Sequence, residues 1–291
     1  MRVERKHSVK WLGLIVLSIF NFQFSILSAT AGITVLTWNT ARMDYTHKPA
    51  ENEVLRFLLS QDADVVCLQE VDVYKDAKYL TLQDVKTALG KKYPYSYIDF
   101  SIYDKRHQFG TMVWSRYPLI NKQTLRYEWH GNISNRCDMV VRGDTIRLIN
   151  NHLQSYGYTA KDLEQLDNHR NYEGLKATYY RLKEKWSKAI PLRNAQAKVV
   201  RKEIEASPYP VIVAGDFNSI ELSYVYWHIS DGLHDAWRSL HPWRYGVTCE
   251  HRGFGVRIDY ILSSKTIVPV ECEIKQTTGS DHRPVVATLA W

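Results

Sequence analysis

A disulfide-built fold is excluded first. The 291-residue chain has four cysteines, Cys67, Cys137, Cys249 and Cys272, too few and too scattered to staple a domain, and none stands at metal-ligand spacing. Cys67 lies inside an apolar run and reads as a buried thiol. Oxidation outside the cytoplasm would permit a bridge between two of the others. The 9 prolines and 14 glycines gather into no linker, and there is no internal repeat or low-complexity tract. Solenoids and loosely tethered modules are therefore excluded. With 45% hydrophobic residues the length suffices for one large core or two small ones. The polar motifs described below span nearly all of it, which favours a single domain.

Net acidity is also missing. Lys and Arg number 38 against 31 Asp and Glu, a formal charge of +7. Residues 1–31 hold Arg2, Arg5, Lys6 and Lys10 against Glu4, so 4 − 1 = +3 belongs to them and +4 to the remainder. That balance suits a phosphate-bearing partner without demanding nucleic acid. Those first residues run from a basic stretch through apolar Trp11–Leu27 to Ala29-Thr30-Ala31, the layout of a cleaved secretory signal peptide. The alternative is an uncleaved membrane anchor, although Asn21 and Gln23 interrupt a run near the lower limit for spanning a bilayer. Either way, the positive flank places the following domain outside the cytoplasm, as a periplasmic, secreted or anchored protein.

What the sequence does have is a repeated design, an apolar strand-like run that ends in polar groups. Ile33–Trp38 ends in Asn39, and Asp64–Leu68 ends in Gln69-Glu70. Ile146–Ile149 leads into Asn150-Asn151-His152, and Val211–Gly215 delivers Asp216-Phe217-Asn218. Asp259 sits between Ile258 and Tyr260, where a buried acid needs a partner. Asp281-His282 precedes a last apolar run, Val285–Leu289. Strand ends carrying carboxylates, amides and imidazoles at one rim are how a rigid scaffold presents a site.

Between these runs, Val54, Leu55, Leu58 and Leu59 give a helix over about 51–61, and a second lies near 81–91. Runs 95–100 and 110–115 read as paired strands, and 139–141 with 146–150 as a hairpin. From Gln154 to about Ala206 the chain is long, charged and helical, with 11 Lys or Arg against 7 Asp or Glu. Leu175, Tyr179, Leu182, Trp186 and Ala189 form one face, and Pro191 divides the segment into two helices. A helical insertion over about 154–190, directly after His152, is a candidate substrate wall, with Tyr156 and Tyr158 near the rim.

The ordered motifs TWNTAR, LQEVD, FGTMVWSRYPL, NNHLQS, VIVAGDFNS, RIDYIL and SDHRP resemble the endonuclease/exonuclease/phosphatase superfamily from about Ile33 to Trp291. The resemblance implies an α/β (α+β) fold of the DNase I-like type, a four-layer sandwich of two packed, mostly antiparallel sheets flanked by helices. It also implies metal-dependent hydrolysis of a phosphoester. Carried onto these positions, Glu70 is the principal Mg²⁺ ligand, with Mn²⁺ a possible substitute. Asp281 and Asn39 complete or support that shell. Asp216 orients or deprotonates the attacking water, Asn218 holds a phosphate oxygen, and His282 faces the phosphate while Asp259 fixes its ring. His152 serves the leaving group.

Neither an abasic-site recognition loop nor the basic stretches of inositol phosphatases is present. Arg244 and Tyr245, before RIDYIL, are candidates for gripping a phosphate or stacking on a base. The expected substrate is a phosphodiester in nucleic acid or a phospholipid head group. A phosphomonoesterase or a non-catalytic phosphate binder is the alternative. No obligate protein partner is implied, and a monomer is expected.

Overall fold

The structure, a computed structural model, describes residues 32–127, 132–158, 162, 172–251 and 254–291. Residues 1–31, on which the signal-peptide or anchor reading rests, lie outside the described residues. The elements begin with β1 (Gly32–Asn39), α1 (Glu53–Ser60), β2 (Val65–Tyr74), α2 (Leu82–Leu89), β3 (Tyr95–Tyr103) and β4 (His107–Ser115). Next come β5 (Leu119–Arg126), β6 (Ile133–Val141), β7 (Asp144–His152), α3 (Tyr172–Glu205) and β8 (Val211–Asp216). The last are α4 (Tyr224–Ser230), β9 (Leu233–Asp235), α5 (Ala236–Leu240), β10 (Cys249–His251), β11 (Phe254–Val256), β12 (Asp259–Ser264), β13 (Val268–Ile274) and β14 (Val285–Ala290).

Two six-stranded sheets result, ordered β13-β14-β1-β2-β4-β3 and β5-β6-β7-β8-β12-β9, beside a β10–β11 ribbon. Each large sheet is antiparallel except for its central pair. β1 runs parallel to β2, and β7 runs parallel to β8. A parallel pair needs a crossover, which α1 provides in the first sheet and α3 in the second. Asn39, His152 and Asp216 close β1, β7 and β8, whereas β2 does not end at Gln69-Glu70 as its apolar run suggests but continues to Tyr74.

Alternation along the strands builds the layers. Val35, Val65, Cys67 and Val113 of the first sheet pack against Cys137, Met139, Leu148, Ile212 and Ala214 of the second. Their other neighbours, such as Leu36, Val66 and Leu68, face Val54, Leu55 and Leu58 of α1 and Val85 and Leu89 of α2. Val211 and Val213 face Ala197 and Val200 of α3 and Val225 and Ile229 of α4. The α/β/β/α order of layers matches expectation.

Local chemistry starts the helices where the sequence allows. The Asn52 side chain accepts from Leu55 N at 2.8 Å to cap α1, and Thr81 with Asp84 forms a capping box on α2. Pro191 does not divide the long segment. α3 is one 34-residue helix with that proline inside it. Proline removes one backbone donor, but Ala189, Arg193, Gln196 and Ala197 on either side are all buried, and tertiary packing overrides the local break. Tyr179, expected on the packing face with Leu182 and Ala189, is instead 52% exposed. All four cysteines are free thiols. Among the described residues, no helix is long and apolar enough to cross a membrane.

Candidate active site

Register assembles the site. In the second sheet His152 of β7 stands beside Asp216 of β8, and Asp216 stands opposite Asp259 of β12. In the first sheet Asn39 stands beside Gln69. β14 runs antiparallel to β1, pairing Val285 with Thr37, so the Ser280–Arg283 segment preceding it returns to the same rim.

Across the two sheets the Asn39 Nδ2 donates to Glu70 Oε1 at 3.1 Å and to Asp216 Oδ2 at 3.0 Å. One amide thus ties a carboxylate of each sheet. Its oxygen accepts from Ala41 N at 3.1 Å, so the nitrogen, not the oxygen, faces the two acids. Beneath this bridge Gln69 Nε2 donates to Asn150 Oδ1 at 2.6 Å, and Asn150 Nδ2 donates to the carbonyls of Leu68 and Met112. Thr111 Oγ1 donates to Asn135 Oδ1 at 2.5 Å. These buried polar groups form the floor. They fix the separation of the sheets where apolar packing gives way to chemistry.

The backbone is bent to serve the same end. Glu70 has φ +51 and sits at an irregularity in the β2–β4 pairing, a bulge that aims its side chain. Asn218 has φ +49. Each such residue costs about 1–3 kcal/mol and persists only where its surroundings hold it. Around Glu70 the holding bonds are Thr40 N to Gln69 O and Arg42 N to Glu70 O, both 3.0 Å. Gly215 is required in the VAGD run, because a Cβ there would meet Asn151 O at 2.1 Å.

Burial and charge then tune the groups. Asp216 accepts from Asn39, from Asn218 N at 2.7 Å and from Asn218 Nδ2 at 3.0 Å. Burial foremost, then Asp259, pushes its carboxyl up to about 6, although His282, His152 and Asn39 pull the other way. Burial opposes ionisation of Glu70 as well, but His152, Asn39 and His282 outweigh it and hold that carboxyl down at about 2. His282 Nδ1 lies 2.9 Å from Asp259 Oδ2. Burial works against its charge, yet Asp259 raises the imidazole well above its ordinary value. His152 Nε2 lies 3.5 Å from Glu70 Oε1, an ion-pair distance, and its atom is buried without a hydrogen-bond partner. Despite burial, Glu70 and Asp216 raise its pKa too.

Several supports had no role in the sequence reading. Trp38 Nε1 donates to His282 O at 2.9 Å, and Ser280 Oγ accepts from His282 N at 3.0 Å while donating to Asn39 O at 2.8 Å. Thr248 Oγ1 accepts from Asp259 N at 3.1 Å. Polar residues within the quoted motifs, Gln69 and Asn150 above all, were visible there, but not which neighbour each would meet.

Not every candidate joins the cluster. Metal-binding atoms group as Glu70, His152 and Asp216, as Asp216, Asp259 and His282, and as Cys249, Asp281 and His282, each set lying within 4.8 Å. Asp281 thus shares a group with Cys249 and His282 rather than with Glu70. Both Asn218 amide hydrogens are engaged, by Asp216 and by Leu153 O, so a phosphate contact through that nitrogen must displace one of them. Arg244 bonds through its backbone carbonyl to Trp237, and Tyr245 OH accepts from Arg257 N. Neither touches the acids or imidazoles among the described residues. Their loop reaches the site through Thr248 and Cys249. Tyr156 and Tyr158 stack at 5.3 Å and are tied to α3, where Trp186 Nε1 donates to Tyr158 OH and Lys185 to Gly157 O.

A four-layer sandwich with acids, amides and imidazoles at the rim of its two central strand pairs defines a DNase I-like protein. The chain belongs to the Endonuclease/Exonuclease/phosphatase family, which it matches over residues 36–282. Members of this family are hydrolases of phosphoesters. Similar solved structures include the endonuclease/exonuclease/phosphatase from Beutenbergia cavernae (17% identity, TM-score 0.67, 89% of this chain and 71% of that one). Truncated TDP2 of Caenorhabditis elegans matches at 19% identity and TM-score 0.60, covering 89% and 98%. Sphingomyelinase C of Streptomyces griseocarneus matches at 19% and 0.58, covering 89% and 99%. At these identities the likeness concerns the fold.

Proposed function

We propose that this protein is an exported, divalent-metal-dependent phosphodiesterase. The observation that carries the reading is the cross-sheet bridge from Glu70 through Asn39 to Asp216, with Asp259 and His282 behind it and His152 at its side. Two acids held this close in opposite titration states, one low and one high, are suited to different tasks.

The hard oxygen donors fit Mg²⁺, which takes one or two carboxylates and keeps several waters. Glu70 would hold it, with Asn39 and Asp281 supporting through water. Bound there, the ion would neutralise phosphate charge and favour departure of the alkoxide. The chain's own groups supply the rest. Asp216, near the pH of its work, orients the nucleophilic water and takes its proton. Asn218 keeps that carboxylate aimed. The His282 imidazolium, held by Asp259, receives the phosphate charge. His152, with its bare nitrogen, is placed to protonate or stabilise the leaving oxygen. Nucleic-acid and sphingomyelin diesters are both represented by the names of similar folds and remain the substrate classes of choice.

The test is a panel of plasmid DNA, RNA, sphingomyelin, inositol phosphates and bis-p-nitrophenyl phosphate with Mg²⁺ or Mn²⁺. Turnover is expected on a diester and is expected to vanish in excess chelator. Glu70→Gln should raise the metal concentration needed for half-maximal rate. Full activity in chelator removes the assignment. Export has its own check: N-terminal sequencing of the mature protein should begin at Gly32, and a start at Met1 in the membrane fraction would establish an anchor instead.

A further inference from the structure

Among the described residues three arginines are almost fully buried, Arg147, Arg193 and Arg257. A desolvated cation is strongly unfavourable unless an anion faces it, and two of the three obey that rule. Arg147 Nε and Nη2 donate to both oxygens of Asp138 at 2.8 and 3.3 Å. Arg257 Nη1 and Nη2 grip Asp235 at 3.0 and 2.7 Å, and its Nε reaches Glu221 at 2.6 Å. Arg193 has no carboxylate within ion-pair distance among the described residues. Its guanidinium lies 3.9 Å from the centre of the Tyr156 ring, its Nη1 donates to Ser219 Oγ at 3.2 Å, and its Nη2 is buried with no partner.

The position of this unpaired charge gives it a use. Ser219 directly follows Asn218, the residue that aims Asp216. One turn along α3, Gln196 Oε1 accepts from Gln154 N at 2.8 Å, binding the same helix to the segment leaving His152. Tyr156 covers the guanidinium face and Ser219 occupies one edge, so the enclosed Nη2 edge is the one an anion would meet once the Tyr156–Tyr158 segment is displaced. Guanidinium edges match phosphate geometry better than any other side chain does.

We propose that Arg193 is the receptor for a second phosphate of the substrate, one that neighbours the scissile group, entering beneath the Tyr156–Tyr158 loop. The anion missing among the described residues arrives with the substrate. A second phosphate of this kind occurs along a nucleic-acid backbone or as a terminal monoester. The choice of substrate rests on the phosphodiesterase reading, but the existence of the anion site does not.

Two measurements separate these. In excess chelator, without turnover, inorganic phosphate should raise the melting temperature of wild type and of His282→Ala, but not of Arg193→Met. A wild type that ignores phosphate, or a response that His282→Ala abolishes and Arg193→Met retains, overturns the site. Arg193→Lys keeps the charge without the fork and should respond weakly. It decides the matter if Arg193→Met does not fold. With Mg²⁺, thymidine 5′-(p-nitrophenyl phosphate) is compared with its 3′-phosphate and with its 3′-(methyl phosphate). The kcat/KM ratio of a two-phosphate to the one-phosphate compound should fall by roughly 10–100-fold in Arg193→Met, the range for a lost charge-assisted hydrogen bond. A fall with both derivatives identifies a chain phosphate, and a fall with the free 3′-phosphate alone identifies a terminal one. An unchanged ratio with both overturns the specificity role even where phosphate binding holds.

Discussion

Replacing Asp216 with asparagine is expected to lower turnover by roughly 10²–10⁴-fold, the contribution of a positioned acid–base group. The carboxylate lies at the junction of the two sheets, with Asn39 on one side and Asn218 on the other. Burial keeps it thirsty for a proton, and an amide in its place cannot take one. The amide nitrogen would also face a donor in either orientation, since Oδ2 accepts from Asn39 Nδ2 and Asn218 Nδ2 and Oδ1 accepts from Asn218 N. Misalignment therefore compounds the lost basicity. The measurement is single-turnover cleavage of bis-p-nitrophenyl phosphate at saturating Mg²⁺, with circular dichroism to confirm the fold. Activity within tenfold of wild type would remove Asp216 from the role of base.

The partners of Asp216 also show how far the sequence could be read. Its own motif was legible, because an apolar run ending in Gly-Asp-Phe-Asn can hardly be anything but a buried strand reaching a rim. The same is true of Asn39, Glu70 and His152. Three strand ends and a bulge at Glu70 imply a common rim only if the strands are central and parallel in pairs, which the crossover helices supply. What sequence could not reveal is which ends touch. Asn39 and Asp216 lie 177 positions apart, and their contact depends on how two sheets stack, not on any local pattern. Gln69 and Asn150 are of the same kind. Each is an ordinary strand-end amide until the opposing sheet supplies its partner.

Local patterns and long-range packing diverge at particular residues. In sequence Pro191 reads as a helix end because its ring and missing donor are felt by its own turn, whereas the buried faces on both sides of it are long-range. Arg244 and Tyr245 read as a cation and a ring for substrate, and what the fold adds is that their loop is anchored by the Arg244 carbonyl on Trp237 and presents Thr248 and Cys249 inward. Arg193 was one basic residue among 11 in its segment. Only the folded chain shows that, among the described residues of the segment, it alone is a buried cation without an acid, whereas Lys185 is bonded to Asp162 and Lys188 to Glu184.

The second large effect is expected at Asp259, which never meets the substrate. Its Oδ2 holds His282 Nδ1 at 2.9 Å, and its Oδ1 is buried without a partner, so its negative charge is offset chiefly by the imidazolium. Asp259→Asn removes the charge but not the burial. The sign of the consequence follows from the opposing causes. Burial lowers the pKa of His282 and Asp259 raises it, so without Asp259 the ring loses its proton at lower pH. Asp216 is raised partly by the same neighbour, so its carboxyl should ionise at lower pH as well. Both limbs of the pH profile of kcat/KM should therefore move toward acid together, the alkaline limb the more. At neutral pH the rate should fall by about 10²–10⁴-fold, as when a buried acid that orients a catalytic histidine is neutralised in other hydrolases. A lower rate with both limbs unmoved would mean that Asp259 only supports the fold. A shift of the alkaline limb toward base would overturn the claim that Asp259 raises the pKa of His282.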